Sequence, residues 1–302
     1  MKKLLTKFAG LLTFNVFLLW VILKGSSFYI AQQHFENWET ESNLLFLPHH
    51  QDYDWTVLGA SHARELTRSQ NHLLVEDILD IKMANLAQGR GRGGIRNQYL
   101  YLRYFYDTGN STSKIVYFLD PSLVFSTSWD EVSITFDSEP FEERFFALNL
   151  WRGSDNYVQQ LYQYARSKMT LEWLQTSPNR KNGNYDCLSQ FDSLKVLRGI
   201  ELSYVDGFNP TILESNTQLL KELIEMAVQH HSEVVFLIPP ARFGKWKGHE
   251  ETISMLKNLT ESHTNVAYHD FSEAYLDNCY YYDHHHLNTD GVIALAYELL
   301  GI

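Results

Sequence analysis

Short apolar runs alternate along this chain with stretches of helical spacing, and that alternation limits the fold more than any other feature. Trp55-Thr56-Val57-Leu58, the stretch Leu73 to Leu86 that ends at a glycine-rich loop, Lys114 to Leu119, Glu233 to Ile238 and Val266 to Tyr268 read as buried strands. Helices are expected from His62 toward Ser69, from about Ile95 to Tyr106, from Ile212 to His230, around His249 to Ser262 and from about Thr289 to Leu300. The Ile212 helix places Leu213, Leu219, Leu220, Leu223, Ile224 and Ala227 at helical spacing. Strands joined by helices predict an α/β fold with a parallel sheet covered on both faces. Ligands of such sheets bind outside the carboxyl ends of the strands.

Two distant stretches carry chemistry. The first strand runs into Gly59-Ala60-Ser61-His62-Ala63-Arg64, a tight turn that exposes the Ser61 hydroxyl. Serine is a poor nucleophile without a base, and the base needs an orienting acid. Asp283-His284-His285-His286-Leu287-Asn288 offers both, because Asp-x-x-His is the spacing at which one turn presents a carboxylate and an imidazole. His286 is then the base and Asp283 the acid, and the same register disfavours His284 and His285. Asn288 reads as a turn or capping residue. Each block alone has a bland reading, a turn serine and a surface acid–histidine pair.

Together, in this order and in an α/β context, the Gly-x-Ser and Asp-x-x-His-Leu-Asn blocks resemble the SGNH (GDSL-like) hydrolase superfamily. The nearest likeness is to its membrane-anchored branch, which includes alginate and peptidoglycan O-acetyltransferase-like proteins and the teichoic acid D-alanyl transfer protein. The resemblance covers roughly Asp52 to the end, with the middle third unmatched. It implies a three-layer α/β/α, flavodoxin-like parallel sheet and acyl transfer through a serine acyl-enzyme. It also implies an oxyanion hole built from the N–H groups of Ser61 and Gly89, where a plain strand-to-helix turn is the alternative for Gly89. In many members an asparagine after the third strand completes that hole. Here the position reads Asp120-Pro121-Ser122, so the third donor is missing from the pattern.

The first residues stand apart. Lys2, Lys3 and Lys7 flank an apolar stretch, and Leu4 to Leu23 as a helix would span about 30 Å, enough to cross a bilayer. The lysines would hold the N-terminus in the cytoplasm and place the domain outside. No Ala-x-Ala follows, which favours an uncleaved anchor over a signal peptide. The domain reading is 1–24 cytoplasmic tip and anchor, 25–50 stalk, and 51–302 SGNH-like domain with a mostly helical insertion at about 124–209. Aromatic residues of that insertion suit either core packing or sugar contact.

A formal net charge of -11 argues against nucleic acid as partner. The glycine-rich loop lacks the Lys-Ser/Thr of a P-loop. His62, Arg64, Arg90, Arg92 and Arg242 are candidate contacts to an anionic polymer, with solvated surface as the alternative. Adjacent histidines at 284–286 point in different directions, so no metal and no cofactor are expected. Cys187 and Cys279 form a disulfide only if their Cα atoms lie within about 7 Å.

Two functions remain open. One is a membrane-anchored O-acyltransferase acting on a cell-surface polysaccharide or wall polymer. The resemblance implies that its acyl group arrives through a multi-pass membrane acyltransferase. An anchored acetylesterase is its close neighbour. The other is a non-catalytic glycan-binding or scaffold member, which a Ser61–His286 separation beyond reach would favour.

Overall fold

The computed structural model describes residues 2–35, 47–89, 93–126, 128–130, 141–152, 158, 162, 166, 187–204 and 207–302. The chain divides into two units, residues 1–38 with 134–178, and 39–133 with 179–302. In the first unit, α1 (Lys2–Phe35) is a single long helix whose segment Lys2–Ser26 is long and apolar enough to cross a membrane. Its side chains from Leu4 to Ile22 are exposed. Lys24 Nζ donates to Glu143 Oε2 (2.5 Å) on α6 (Glu143–Arg152), and Glu142 caps that helix by accepting from the Phe145 N–H.

The second unit is an α/β fold. Five strands, β1 (Asp52–Gly59), β2 (Met83–Asn85), β3 (Ser111–Phe118), β4 (Glu233–Ile238) and β5 (Val266–Asp270), lie in the order β2-β1-β3-β4-β5. Every pair is parallel, with Val57 opposite Asn85 and Val116, Val116 opposite Val235, and Val234 opposite Val266. This is the flavodoxin-like order, whose switch point falls between β1 and β3.

One face of the sheet buries Trp55, Val57, Val116, Phe118, Val235 and Leu237. They pack with Val75 of α3 (Asn71–Leu79) and with Val292, Leu295, Ala296 and Leu299 of α10 (Thr289–Leu299). Because side chains alternate along a strand, Leu58, Ile115, Tyr117 and Phe236 project from the other face, and all are buried. There α4 (Ile95–Asp107) packs against α8 (Leu213–Gln229), and the two touch β1 and β4 respectively. Between β4 and β5 runs α9 (His249–Ser262).

Several element limits differ from the sequence expectation. Leu73 to Leu86 is not one strand: residues up to Leu79 are helical, and only Met83–Asn85 pair with β1. Asp80 in the left-handed region (φ 52°) ends the helix and turns the chain into the strand. The apolar residues there serve a helix face because Val75 turns inward against α10 while Leu73 and Leu74 stay exposed. The helix from Ser61 is one turn, α2 (Ser61–Arg64), followed by a 3₁₀ turn at Arg68–Gln70. α5 (Pro121–Phe125) leads into the expected insertion, and within it α6 and α7 (Ser193–Ser203) are helical. Asp192 caps α7, accepting from the N–H groups of Leu194 and Lys195.

Candidate active site

Ser61 sits two residues beyond the end of β1, which lies between β2 and β3 beside the switch point. Gly59 makes the bend with φ 137°, and a Cβ there would lie 2.7 Å from the Phe118 carbonyl oxygen on β3. Only glycine meets both conditions. Its buried N–H donates to Gln98 Oε1 of α4 (3.0 Å), and its carbonyl accepts from Gln88 N (3.1 Å). The β1–β2 ladder thus continues past β2 and brings residues 86–89 alongside the Ser61 turn. Asn85 locks that turn from below: its Nδ2 donates to the Ala63 carbonyl (2.8 Å) and to Thr67 Oγ1 (3.2 Å).

The acid and base arrive on the loop between β5 and α10. A bridge between Tyr281 and Leu287 closes that loop, and Asn288 caps α10 by accepting from the Gly291 N–H (2.9 Å). Asp283 Oδ1 accepts from the main-chain N–H groups of His285 (2.9 Å) and His286 (2.8 Å). Its Oδ2 accepts from His286 Nδ1–H at 2.7 Å, and Ser61 Oγ–H donates to His286 Nε2 at 2.8 Å, a tautomer assigned from the network. Ser61, His286 and Asp283 therefore form one continuous hydrogen-bonded relay across residues 225 apart in sequence.

The electrostatics suit that relay. Burial disfavours a charged His286, but the hydrogen bond and negative charge of Asp283 outweigh it and raise the imidazole above its ordinary value. Burial likewise opposes charge on Asp283, and the contacts with His286 and His285 override it, leaving the carboxyl well below the usual range. His285 is pushed far down by burial and by neighbouring His286, so it stays neutral. Tyr282 stacks on His286 (5.6 Å between centroids, 5° between planes). Its hydroxyl donates to Glu65 Oε1 (2.9 Å) and accepts from Arg68 Nη1 (2.7 Å).

A second imidazole–carboxylate pair abuts the first. His62 Nδ1 lies 3.3 Å from Asp120 Oδ2, both side chains being buried. The His62 ring is 5.3 Å from that of His286 and meets Trp246 edge-on at 6.1 Å. Burial opposes charge on Asp120, but His62 and Ser122 lower its carboxyl overall. Asp120 also caps α5, accepting from Ser122 N at 3.1 Å. The residue at the expected third-donor position is thus a carboxylate that faces His62 beside the Ser61 turn.

The other predicted site residues fall as follows. Gly89 is buried beside the Ser61 turn, with the Arg64 guanidinium lying over it where a Cβ would stand. Arg90 and Arg92 lie outside the described residues. Arg242 braces the loop that carries Asp283 and His286: its N–H donates to the His284 carbonyl (3.1 Å), its Nε to Asn278 Oδ1 (2.6 Å), and its guanidinium stacks over Phe191 (4.8 Å). Gly93, not singled out from the sequence, approaches Ala60 so closely that a Cβ would sit 2.6 Å from the Ala60 Cβ. Glu65, Arg68, Tyr282 and Asp120 were also not legible beforehand, because their partners come from distant segments.

Beside Asp283 and His285 opens a pocket of about 210 Å³, walled by Val196, Ile200, Phe243 and Trp246 with Lys195 at its side. Among the described residues, Asp283, His285 and His286 hold ligand atoms within 4.8 Å of one another, as a metal site would. The His286 nitrogens in that group already bind Asp283 and Ser61. The site as a whole defines a serine–histidine–aspartate constellation at the carboxyl edge of a parallel α/β sheet. Comparison with known proteins matches no family model and no curated protein.

Proposed function

We propose that this protein is a membrane-anchored, extracytoplasmic serine acyltransferase with the three-layer SGNH architecture, acylating a cell-surface polysaccharide or wall polymer. The observation that carries the reading is the 2.8 Å and 2.7 Å relay from Ser61 through His286 to Asp283. His286 takes the Ser61 proton as the hydroxyl attacks an ester or thioester carbonyl, and Asp283 stabilises the imidazolium. The N–H groups of Ser61 and Gly89 hold the tetrahedral oxyanion, worth about 3 kcal/mol per donor in comparable sites. His286 gives that proton to the donor's leaving group as the tetrahedral intermediate collapses, and the acyl group then passes from Ser61 to a sugar hydroxyl, whose proton His286 accepts and returns to Ser61 Oγ. α1 anchors the chain, its lysines on the cytoplasmic side, and a multi-pass membrane acyltransferase supplies the acyl group.

An anchored carbohydrate acetylesterase is the second reading, since water can resolve the same acyl-enzyme. The partial exposure of Asp283 (38 %) favours it, because solvent reaches the rim of the site. The test uses the full-length chain in detergent, wild type beside Ser61→Ala, incubated with p-nitrophenyl acetate and weighed intact. An acetyl adduct present only in wild type supports the nucleophile; its absence from a folded wild-type protein sinks the reading in favour of a binding or scaffold role. Adding glycan acceptors then separates transfer from hydrolysis.

A further inference from the structure

The segment that begins at Cys187 runs along the base of the catalytic loop. Leu188 N–H donates to two loop carbonyls, Asn278 (3.2 Å) and Tyr281 (2.7 Å). Cys187 Sγ–H donates to the main-chain oxygen of Cys279 (3.5 Å). Both cysteines are reduced and exposed. Cys187 beside it pushes the Cys279 thiol up to about 11, as expected of two sulfurs held close together.

Cys279 stands four residues before Asp283, in the 3₁₀ turn Asn278–Tyr280. Its carbonyl also accepts from Asn288 Nδ2 (2.7 Å), the residue that caps α10. Further along the same segment, Phe191 meets His284 edge-on at 5.5 Å. The loop that presents Asp283 and His286 is therefore held at its base by hydrogen bonds at an exposed edge, with two thiols poised across the join.

We propose that Cys187 and Cys279 are a disulfide-forming site that, once oxidised, staples the loop carrying Asp283 and His286 to the segment 187–191. The oxidant is a low-molecular-weight or protein disulfide. One cysteine attacks it as thiolate and expels one of its sulfurs; the second cysteine attacks the mixed disulfide and expels the other. The chain loses two protons and two electrons, and the donor leaves as two thiols. The bond closes a long loop, 92 positions between its ends, so its constraint on the unfolded chain is large. Bond formation is independent of the acyltransfer reading, whereas any effect on turnover rests on it.

The test is made on the full-length chain in detergent, treated with oxidised glutathione or with dithiothreitol, quenched with N-ethylmaleimide and digested without reduction. The expected result is a Cys187–Cys279 cross-linked peptide and no alkylation of either residue in the oxidised sample. A melting temperature higher by roughly 5–10 °C goes with it. Cys187→Ser and Cys279→Ser should melt at the same temperature with and without oxidant. Full alkylation of both thiols after oxidation, a glutathione adduct left on one of them, a disulfide between two chains, or a cross-link without a rise in melting temperature each overturns the proposal. A cross-link in a protein whose Ser61 takes no acetyl group leaves the staple standing and removes only the proposed function.

Discussion

His286 is placed by contacts of different kinds: a charged hydrogen bond to Asp283, a neutral one from Ser61, a stacked Tyr282, and the tilted rings of His62 and His285. Its imidazole is held above the ordinary value, so the proton stays on to a higher pH than in a free histidine. A general base must be neutral, so the rate of Ser61 acylation should rise with pH along a limb lying above about 6.5. In Asp283→Asn the carboxylate is gone; the limb should move down and the rate fall by roughly 10²–10⁴, read from stopped-flow p-nitrophenol release. The stability sign for Asp283 is the reverse of that for His286. A depressed carboxyl adds stability above the unfolded value near 3.9, which is lost as pH falls. A raised imidazole adds stability at low pH, which is lost as pH rises through its folded value. Asp120 belongs to the same scale. Asp120→Ala strands a buried histidine and uncaps α5, and should cost about 2–4 kcal/mol in urea unfolding. Asp120→Asn keeps an acceptor for the Ser122 N–H and should cost less.

Among the elements, the unit that matters is β1, its bend and the single turn of α2. The close approaches there leave no room for a side chain: Gly59 meets the Phe118 carbonyl, and Gly93 meets the Gln88 carbonyl and the Ala60 Cβ. Gly59→Ala would force a side chain into the left-handed region and onto a carbonyl, so a loss of roughly 2–4 kcal/mol is expected, with loss of acylation because Ser61 shifts. Circular dichroism during denaturation measures the first and intact mass the second. At the start of α4, Asp130 accepts from the Asn97 N–H (3.1 Å). Burial outweighs that bond, the Arg96 N–H and the Arg96 charge, and raises the carboxyl to about 6. A raised carboxyl favours the protonated folded state, so this contribution is present below about 4 and lost as pH climbs through about 6. Relative to Asp130→Asn, the wild type should therefore lose about 2 kcal/mol between pH 4 and 7, and a flat difference would refute the assignment.

For the whole molecule, α1 is the one feature that joins chemistry to place. Deleting Met1 to Ser26 should move the chain from the carbonate-resistant membrane fraction to the soluble one, and a chain that remains in the pellet would contradict the anchor. The α/β class and the parallel sheet were legible in the sequence for local reasons, whereas the pairing of Ser61 with His286 and Asp283 was expected from the resemblance of the two blocks to a known superfamily. Alternating strand and helix signals report backbone periodicity, and Asp-x-x-His places two side chains in one turn without help from the rest of the fold. The split of Leu73–Leu86 into helix and strand was not legible, because its apolar residues suit either element until α10 arrives to cover Val75. Nor were the partners of His286. Glu65 and Arg68 hold the hydroxyl of Tyr282, which stacks on His286, and Asp120 faces His62, whose ring lies beside that of His286. Arg242, a candidate ligand contact or solvated surface residue in the sequence, braces the loop through Asn278 and the His284 carbonyl, contacts that only the fold supplies. The sequence by itself determined which residues have the chemistry and roughly which end of the sheet carries them. Only the tertiary structure decided which charges are desolvated and paired, because that depends on segments brought together by the sheet order and not on neighbours along the chain.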